Sequence, residues 1–301
     1  MAARLCLTSG GDQPEPVPAP EAPAEKLTCK YLPRDEKTGE RLRVEKRDAH
    51  GSLRQVEIHY SNNTIGLRYL DNLGRITKIS RTTPEGNLLE GRIDKQNNEV
   101  IEYSLTSSKG TLLYRVAELA SEQTLHQEFR ADGTLLLEEK INGKEHLFKL
   151  FHDDGRTVHV EAEVYGDWLG KVRRNLKVYQ PNGTLLYQEK GADPHAQPGQ
   201  ILSYIGTVHD ANGKARQRLT STEGQTSLWS ASKLLVEDLN EDGTVAKSSQ
   251  PERGPFPYRA KLDDPVLQSL VEAKDTCHKL MAKGHHHMQF WRNDLAAVLR
   301  D

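Results

Sequence analysis

The chain has 301 residues and a balanced charge, with 41 Lys and Arg against 43 Asp and Glu. Because no basic surplus exists to neutralise phosphates, this balance excludes nucleic acid as the main partner. The sequence contains no apolar run of about 18 residues, which excludes a transmembrane helix. Hydrophobic residues make up 36 % of the chain and aromatic residues 6 %, which is low for a compact two-layer core and favours a thin, solvent-exposed sheet.

Three cysteines, Cys6, Cys29 and Cys277, are scattered through the chain. Their odd number and the lack of a CxxC motif argue against a disulfide framework. At most one pair could join, and the spacing leaves open which pair that is.

Residues 1–26 are predicted to be a leader remnant followed by a linker. Residues 7–10, Leu-Thr-Ser-Gly, resemble the lipobox of bacterial lipoproteins, although Gly11 stands where the lipidated cysteine belongs. Residues 12–25 alternate Pro, Ala and Glu, which favours extended polyproline-II conformations and a semi-rigid spacer. Such spacers often separate an anchor from a folded domain, so we expect an extracytoplasmic protein, in the cell envelope or secreted. An ordinary disordered N-terminus is the alternative.

Turn dipeptides such as Asp132-Gly133, Asn142-Gly143 and Asp154-Gly155 recur along residues 27–250, about every 10 to 12 residues, and mark hairpins because they tolerate positive φ angles. Between the turns, apolar and polar residues alternate, as in residues 157–164 (TVHVEAEV). A period of two predicts half-buried antiparallel strands. The sequence therefore predicts an all-β, repeat-built antiparallel meander, as an extended open or curved sheet.

A longer period is superimposed on these turns. The segments FRADGTLL, FHDDGRTV, YQPNGTLL and LNEDGTVA begin at residues 129, 151, 179 and 239 and place a glycine at one equivalent turn position. These repeat-turn glycines are Gly133, Gly155, Gly183 and Gly243. Residues 69–74 are a looser copy. Internal similarity of this kind predicts a repeat architecture in which one repeat spans two strands.

Aromatic residues are predicted to recur at equivalent repeat positions and to form a ladder. The ladder comprises Tyr69, Tyr103, Phe129, Phe151 and Tyr179. Cross-strand packing, which contributes about 0.2–1 kcal/mol per pair, is the predicted role. A binding strip is the alternative.

The repeat motifs resemble the YD (RHS-type) repeats of bacterial surface and toxin-shell proteins. YLDNLGRITKIS at residues 69–80 carries that resemblance most clearly. The motifs also look like MORN-variant repeats, in which an aromatic residue precedes an Asn-Gly turn. The resemblance implies a long antiparallel sheet that serves as shell, scaffold or contact surface, without catalytic residues of its own.

Residues 251–301 change to a helical period and predict an αα-hairpin packed against the end or a face of the sheet. Asp264 is a plausible N-cap before Pro265, and Gly284 can end the first helix. The second helix carries an apolar stripe at helical spacing. That stripe comprises Met288, Trp291, Leu295, Val298 and Leu299. Phe290 and Trp291 are the expected packing anchors.

Cys277, His278, His285 and His287 are the candidate metal ligands, because a thiolate and imidazoles suit zinc or copper. Adjacent histidines on one short loop cannot all reach one ion, so a solvated loop between the helices is the alternative. We therefore expect no metal and no other cofactor.

Carboxylates offer two further candidate sites. Glu161 and Glu163 lie beside His159 on the polar side of one predicted strand, where paired carboxylates could flank a glycosidic bond. Asp153-Asp154 and Glu241-Asp242 could bind calcium, although turn chemistry explains both. The sequence contains no nucleotide-binding glycine loop, nucleophile elbow or zinc-protease motif. We therefore expect no catalytic residues and no enzymatic activity.

The sequence favours three functions, and a cytoplasmic antitoxin-like role for MORN-variant repeats also remains open. The first is a bacterial envelope or secreted scaffold that presents a sheet surface to a protein or glycan. The second is a carrier of a lipid or another small apolar ligand, with a half-barrel sheet and a helical lid. The third is a glycan-active enzyme that uses strand carboxylates.

Overall fold

The computed structural model describes residues 27–32, 40–94, 96, 99–119, 123–165, 172–191, 204–221, 234–249, 291–295 and 298–299. The predicted leader and linker, residues 1–26, lie outside the described residues. The same holds for the first predicted C-terminal helix and for the four candidate metal ligands, Cys277, His278, His285 and His287.

The described residues form an 18-stranded antiparallel sheet. Its strands are β1 (Thr28–Leu32), β2 (Glu40–Arg47), β3 (Leu53–Tyr60), β4 (Ile65–Leu70), β5 (Ile76–Thr82), β6 (Leu88–Ile93), β7 (Val100–Thr106), β8 (Leu112–Glu118), β9 (Gln123–Phe129), β10 (Leu135–Asn142), β11 (Glu145–Phe151), β12 (Val158–Tyr165), β13 (Val172–Tyr179), β14 (Leu185–Gly191), β15 (Tyr204–His209), β16 (Ala215–Ser221), β17 (Leu234–Leu239) and β18 (Val245–Ser249).

Each strand pairs with the strand that follows it in the chain, from β1 with β2 to β17 with β18. Within the described residues β1 pairs only with β2, and β18 only with β17, so the sheet is open. The predicted all-β antiparallel meander is confirmed.

The two faces of the sheet differ in chemistry because side chains alternate along each strand. The apolar face carries the most deeply buried side chains of the sheet. They are Ile58, Ile79, Leu89, Leu137, Phe148, Val160, Leu176, Tyr187, Val208 and Leu219. The charged face carries ion pairs between neighbouring strands. These include Lys46–Glu57, Lys78–Glu90, Arg115–Glu102, Lys177–Glu161 and Arg218–Glu237.

Tight loops join the strands along both edges of the sheet. In the loop after β9, Gly133 donates its backbone N–H to the carbonyl of Arg130 at 2.9 Å. Arg130 in turn donates its N–H to the carbonyl of Thr134 at 2.8 Å. Gly183 makes the same 2.9 Å bond to Gln180 in the loop after β13. The hairpin is therefore the repeating unit of the sheet.

A C-terminal helix, α1, packs on the apolar face. Its described residues are 291–295 and 298–299, within the second predicted helix. Leu295 and Val298 are both 0 % exposed and belong to one cluster with residues of β5–β8. Trp291 and Leu299 pack against the same cluster. No helix within the described ranges is long and apolar enough to cross a membrane.

Candidate functional site on the apolar face

A groove with glycines in its floor receives α1 on the apolar face. Gly66 of β4 and Gly91 of β6 lie beneath the helix. A Cβ atom on Gly66 would lie 3.3 Å from Val298 Cγ1, and one on Gly91 would lie 2.9 Å from Leu295 Cδ1. A glycine inside a strand often marks a close approach by another chain segment. We call the surface formed by Gly66, Arg68, Ile79, Arg81 and Gly91 the helix groove.

Two arginines of the helix groove bind α1. Arg81 donates from Nη1 to Asp294 Oδ1 at 2.7 Å, and its guanidinium lies 4.6 Å from the centre of the Tyr60 ring. Arg68, which is buried, donates from Nε to the carbonyl oxygen of Val298 at 2.6 Å. The Arg68 side chain therefore gives the Val298 carbonyl a hydrogen-bond partner on the sheet.

The hydrophobic cluster beneath α1 continues into a row of aromatic and polar side chains. Tyr103 and Tyr114 belong to the same cluster as Leu295, and their rings stack at 6.1 Å. The Tyr114 ring lies 4.9 Å from the ring of His126 on β9. The groove and the imidazole are therefore joined by packed rings.

His126 is the centre of a buried row in which carboxylates and imidazoles alternate. Its Nε2 lies 3.4 Å from Glu128 Oε1, and its Nδ1 lies 3.3 Å from Glu139 Oε2. The other oxygen of Glu139, Oε1, lies 2.7 Å from His146 Nδ1. All four residues are at most 7 % exposed. We call Glu128, His126, Glu139 and His146 the Glu–His row.

The environment of the row shifts the pKa values of His126 and of two neighbouring tyrosines. Burial lowers the pKa of His126, but the neighbouring carboxylates of Glu128 and Glu139 outweigh burial, so the net pKa is raised. Burial raises the pKa values of Tyr103 and Tyr114, which keeps both phenols neutral. A buried row of this kind is costly to form, and removing one member leaves an uncompensated charge.

The far end of the row reaches the surface. His146 lines an open cavity of about 360 Å³ at the end of β9–β12. The other polar side chains that line it are Gln123, Lys140, Asn142, Glu145 and Glu163. A second, shallower cavity of about 460 Å³ has charged walls. They include Lys78, Glu90, Arg92, Glu102 and Arg115.

The candidate glycosidase residues lie on the charged face. Glu161 accepts a hydrogen bond from Lys177 Nζ at 2.9 Å and lies 3.9 Å from Lys149 Nζ, while Glu163 is exposed. The ring of His159 stacks on the ring of His152 at 4.2 Å. The structure thus brings Glu161 next to lysines and His159 next to a second imidazole.

The candidate calcium ligands lie in the loops after β11 and β17. Asp154 accepts a hydrogen bond from the Thr157 hydroxyl and backbone N–H bonds from Arg156 and Thr157, and together these lower the pKa of its carboxyl to about 2. Asp242 accepts bonds from both N–H and hydroxyl of Thr244. Among the described residues, no group of three His, Cys, Asp or Glu side chains could hold a metal ion.

The repeat-turn glycines share one backbone conformation and one edge of the sheet. Gly133, Gly155, Gly183 and Gly243 have φ angles of 88°, 65°, 82° and 82°, and each lies in a loop that follows an odd-numbered strand. Gly74, in the YD-like segment 69–80, follows the even-numbered strand β4 and lies at the opposite edge.

The aromatic ladder residues occupy two kinds of position. Phe129, Phe151 and Tyr179 are the last residues of β9, β11 and β13, all half-buried. Tyr103 lies in the middle of β7 and is buried on the apolar face, while Tyr69 lies on the charged face of β4 near Lys78. The structure brings Tyr103 together with Tyr114, not with the other four.

Sequence reasoning missed the Glu–His row and both groove glycines. The alternation of side chains along the strands could have revealed the row. Glu139 lies on the same side of β10 as Leu137 and Ile141, and His146 lies on the same side of β11 as Phe148. A charged residue in the apolar phase of a strand indicates a buried polar partner.

No protein-family model and no curated protein matches this chain. Among the solved structures that match, two show the following low similarity. The crystal structure of TcdB2-TccC3 without hypervariable C-terminal region is 13 % identical over 69 % of this chain and 10 % of that chain, with a TM-score of 0.22. The crystal structure of TcdB2-TccC3-TEV is 7 % identical over 71 % of this chain and 17 % of that chain, with a TM-score of 0.15.

The chain therefore spans only a small part of either solved chain. TM-scores of this size carry no argument about the fold or the function. The description of the protein as a repeat-built β scaffold depends on its own strands and turns.

Proposed function

We propose that this protein is a non-enzymatic repeat scaffold of the cell envelope or the secreted fraction, which binds a protein helix on its apolar face. The charged face then remains available for contact with a protein or a glycan. The proposal includes repeats of the YD (RHS-type) or MORN-variant class, supported by the glycine turns that recur once per hairpin.

The observation that carries the proposal is the pair of glycines under α1. A glycine inside a strand costs backbone entropy and gives up side-chain packing, so it needs a compensating reason. Gly66 and Gly91 lie on alternate strands. A Cβ atom on Gly91 would press on Leu295 of α1, and one on Gly66 would press on the Tyr60 ring and on Val298 of α1. A helix that approaches the backbone closely explains Gly91, and together with the Tyr60 ring it explains Gly66, whereas a fluid lipid tail would need no such clearance.

The chemistry of the charged face supports a non-enzymatic role. Glu161 is the best-placed carboxylate for glycoside hydrolysis, yet Lys177 and Lys149 lie within 4 Å of it. Each carboxylate oxygen of Glu161 therefore faces a lysine ammonium group, Oε1 that of Lys177 and Oε2 that of Lys149. The Pro-, Ala- and Glu-rich residues 12–25 support the extracytoplasmic part of the proposal.

A disulfide between the groove and α1 tests helix binding. Gly66→Cys and Val298→Cys are introduced into a full chain in which Cys6, Cys29 and Cys277 are replaced by Ser. A Cβ atom at 66 would lie 3.3 Å from Val298 Cγ1, a position close to that of a cysteine sulfur at 298, so a disulfide can form once the Tyr60 ring, 3.1 Å from the same Cβ atom, moves aside. Lys247→Cys on β18 paired with Val298→Cys is the matched control.

We expect complete crosslinking of the 66–298 pair and none of the 247–298 pair, as read by peptide mass mapping without reductant. An uncrosslinked 66–298 variant that keeps its β-sheet circular dichroism would overturn helix binding. Stoichiometric lipid in native mass spectrometry would replace the scaffold with the carrier. Hydrolysis of a glycan panel that disappears with Glu161→Gln would overturn the non-enzymatic role.

A further inference from the structure

The Glu–His row is directly continuous with the helix groove. In the register of β8 and β9, Val116 is opposite His126 and Tyr114 is opposite Glu128. Val116 and Tyr114 belong to the hydrophobic cluster that contains Leu295. The row therefore lies directly beside the hydrophobic cluster on which α1 packs.

The geometry of His126 favours its protonated form. Each ring nitrogen of His126 lies within ion-pair distance of a carboxylate oxygen: Nδ1 is in a hydrogen bond with Glu139 Oε2, and Nε2 lies 3.4 Å from Glu128 Oε1 without hydrogen-bond geometry. A neutral imidazole can donate from only one of its nitrogens, whereas an imidazolium donates from both. Loss of the proton would therefore remove the positive charge that both buried carboxylates face.

The other titratable groups around His126 are few among the described residues. Tyr103 on β7 and Tyr114 on β8 are neutral phenols, and Glu118 is exposed at the end of β8. On β10 and β11 the row itself supplies Glu139 and His146. The basic side chains of these strands, Arg115, Lys140 and Lys149, lie on the charged face, and Arg292 of α1 lies near Tyr103. His126 is therefore the titratable group that lies between the two buried carboxylates of the row.

We propose that the Glu–His row is a protonation-controlled latch that holds the apolar face in the form that binds α1. With His126 protonated, the ring joins Glu128 on its own strand to Glu139 on β10 and so fixes β9 against its neighbour. Loss of the proton loosens this link and weakens the packing of α1. The inference rests on the proposed function, because it requires that α1 occupies the helix groove.

The direction of the pH dependence follows from the raised pKa of His126. A group whose pKa is higher in the folded state stabilises that state fully below its unfolded pKa, which is about 6.5 for histidine. The stabilisation is lost as the pH rises through the folded pKa. The cavity lined by His146 gives the row a route for proton exchange with solvent.

Fluorine NMR of the full chain tests the latch. The three tryptophans, Trp168, Trp229 and Trp291, are replaced by 5-fluorotryptophan, and Trp291→Phe assigns the resonance of α1. The spectrum is followed from about pH 5 to about pH 9, a range that spans histidine titration. The Cε1 resonance of His126 is followed in the same samples.

We expect the Trp291 resonance to shift as the pH rises, with the midpoint of the His126 titration. Glu128→Gln removes one negative charge and keeps the shape of the side chain, so it should lower that midpoint by about one pH unit. His126→Gln should abolish the transition. His59→Gln, which removes a histidine 2.7 Å from Glu57 on the charged face, is the matched control and should change nothing.

A Trp291 resonance that is docked at every pH, or a midpoint that Glu128→Gln leaves in place, would overturn the latch and leave helix binding intact. A Trp291 resonance typical of an exposed indole at every pH would instead overturn helix binding itself. Because Glu128→Gln retains the buried imidazole, it provides the decisive comparison if His126→Gln fails to fold.

Discussion

Arg81 of β5 and Asp294 of α1 form an ion pair at 2.7 Å across 213 positions of sequence. Arg81 is opposite Gly66 in the register of β4 and β5, so its side chain projects from the floor of the helix groove. The same guanidinium packs over the Tyr60 ring. Arg81 therefore fixes where along the groove the helix lies, and it also contributes packing of its own.

Replacing Arg81 should weaken α1 docking more than replacing its partner does. Arg81→Ala removes both the ion pair and the stacking on Tyr60. We expect this change to weaken the docking of α1 by about 1–3 kcal/mol. Asp294→Asn keeps an acceptor and should cost less. Hydrogen exchange of the amides of residues 291–299 measures the difference.

Arg218→Ala is the control for the loss of an arginine. Arg218 pairs with Glu237 on the charged face, where an exposed pair contributes about 0–1 kcal/mol. Equal protection of α1 in the Arg81 and Arg218 variants would contradict the role of the Arg81–Asp294 pair.

Adding a single methyl group to the groove floor should also weaken docking. The Cβ atom of Gly91→Ala would lie 2.9 Å from Leu295 Cδ1, with Val100 Cγ1 and Ile79 Cγ1 at 3.3 and 3.4 Å on the other sides. The neighbours cannot all move away, so we expect a loss of about 1–3 kcal/mol in the docking of α1.

A double-mutant cycle that combines Gly91→Ala with Leu295→Ala separates this clash from a general loss of stability. Truncation of Leu295 removes the atom on which the added methyl group would press, so the combined loss should be smaller than the sum of the two single losses. Strict additivity in hydrogen exchange of α1 would show that Gly91 and Leu295 are not coupled.

The strands could be predicted from the sequence because each depends on its own period and turns. The alternation from Val158 to Val164 reappears as the buried and exposed positions of β12. The apolar stripe with Leu295 and Val298 likewise predicted that a helix packs on the sheet. The place of docking could not be predicted, since it depends on Gly66, Gly91 and Arg81, which lie more than 200 positions away in sequence.

The Glu–His row was missed for a related physical reason. Glu139 and His146 look like ordinary surface residues unless it is already known which side of each strand faces the apolar surface. Their pairing also depends on the register of β10 with β11. The YD-like segment shows the same dependence on context. Its glycine, Gly74, matches the repeat-turn motif locally but belongs to the opposite edge of the sheet.

The turn glycines should tolerate asparagine better than alanine. Gly183 has a φ of 82° and open space around it, so Gly183→Ala suffers only from the left-handed backbone, at a cost of about 1–2 kcal/mol. Asparagine enters this region more easily. Asn63 shows this directly, since it has a φ of 62° at the same turn position, with its N–H donated to Tyr60.

Urea unfolding should therefore rank the Gly183 variants as wild type, Asn and Ala, in decreasing order of stability. Asn63→Gly is the reciprocal control and should leave stability unchanged or slightly higher. A Gly183→Ala protein as stable as wild type would show that the loop after β13 can adopt another turn.

His159 should make the folded protein less stable in mild acid. Burial, together with the nearby charge of His152, lowers the pKa of His159 to about 4, whereas the unfolded chain has a value of about 6.5. As the pH falls from about 6.5 to about 4, the unfolded chain binds a proton that the folded chain does not, so stability declines.

His159→Gln should flatten this decline in urea unfolding midpoints, and His152→Gln should raise the pKa of His159 in an NMR titration. His50→Gln, at an exposed turn, should leave the decline intact, and titration of His159 near pH 6.5 in the folded protein would refute the prediction.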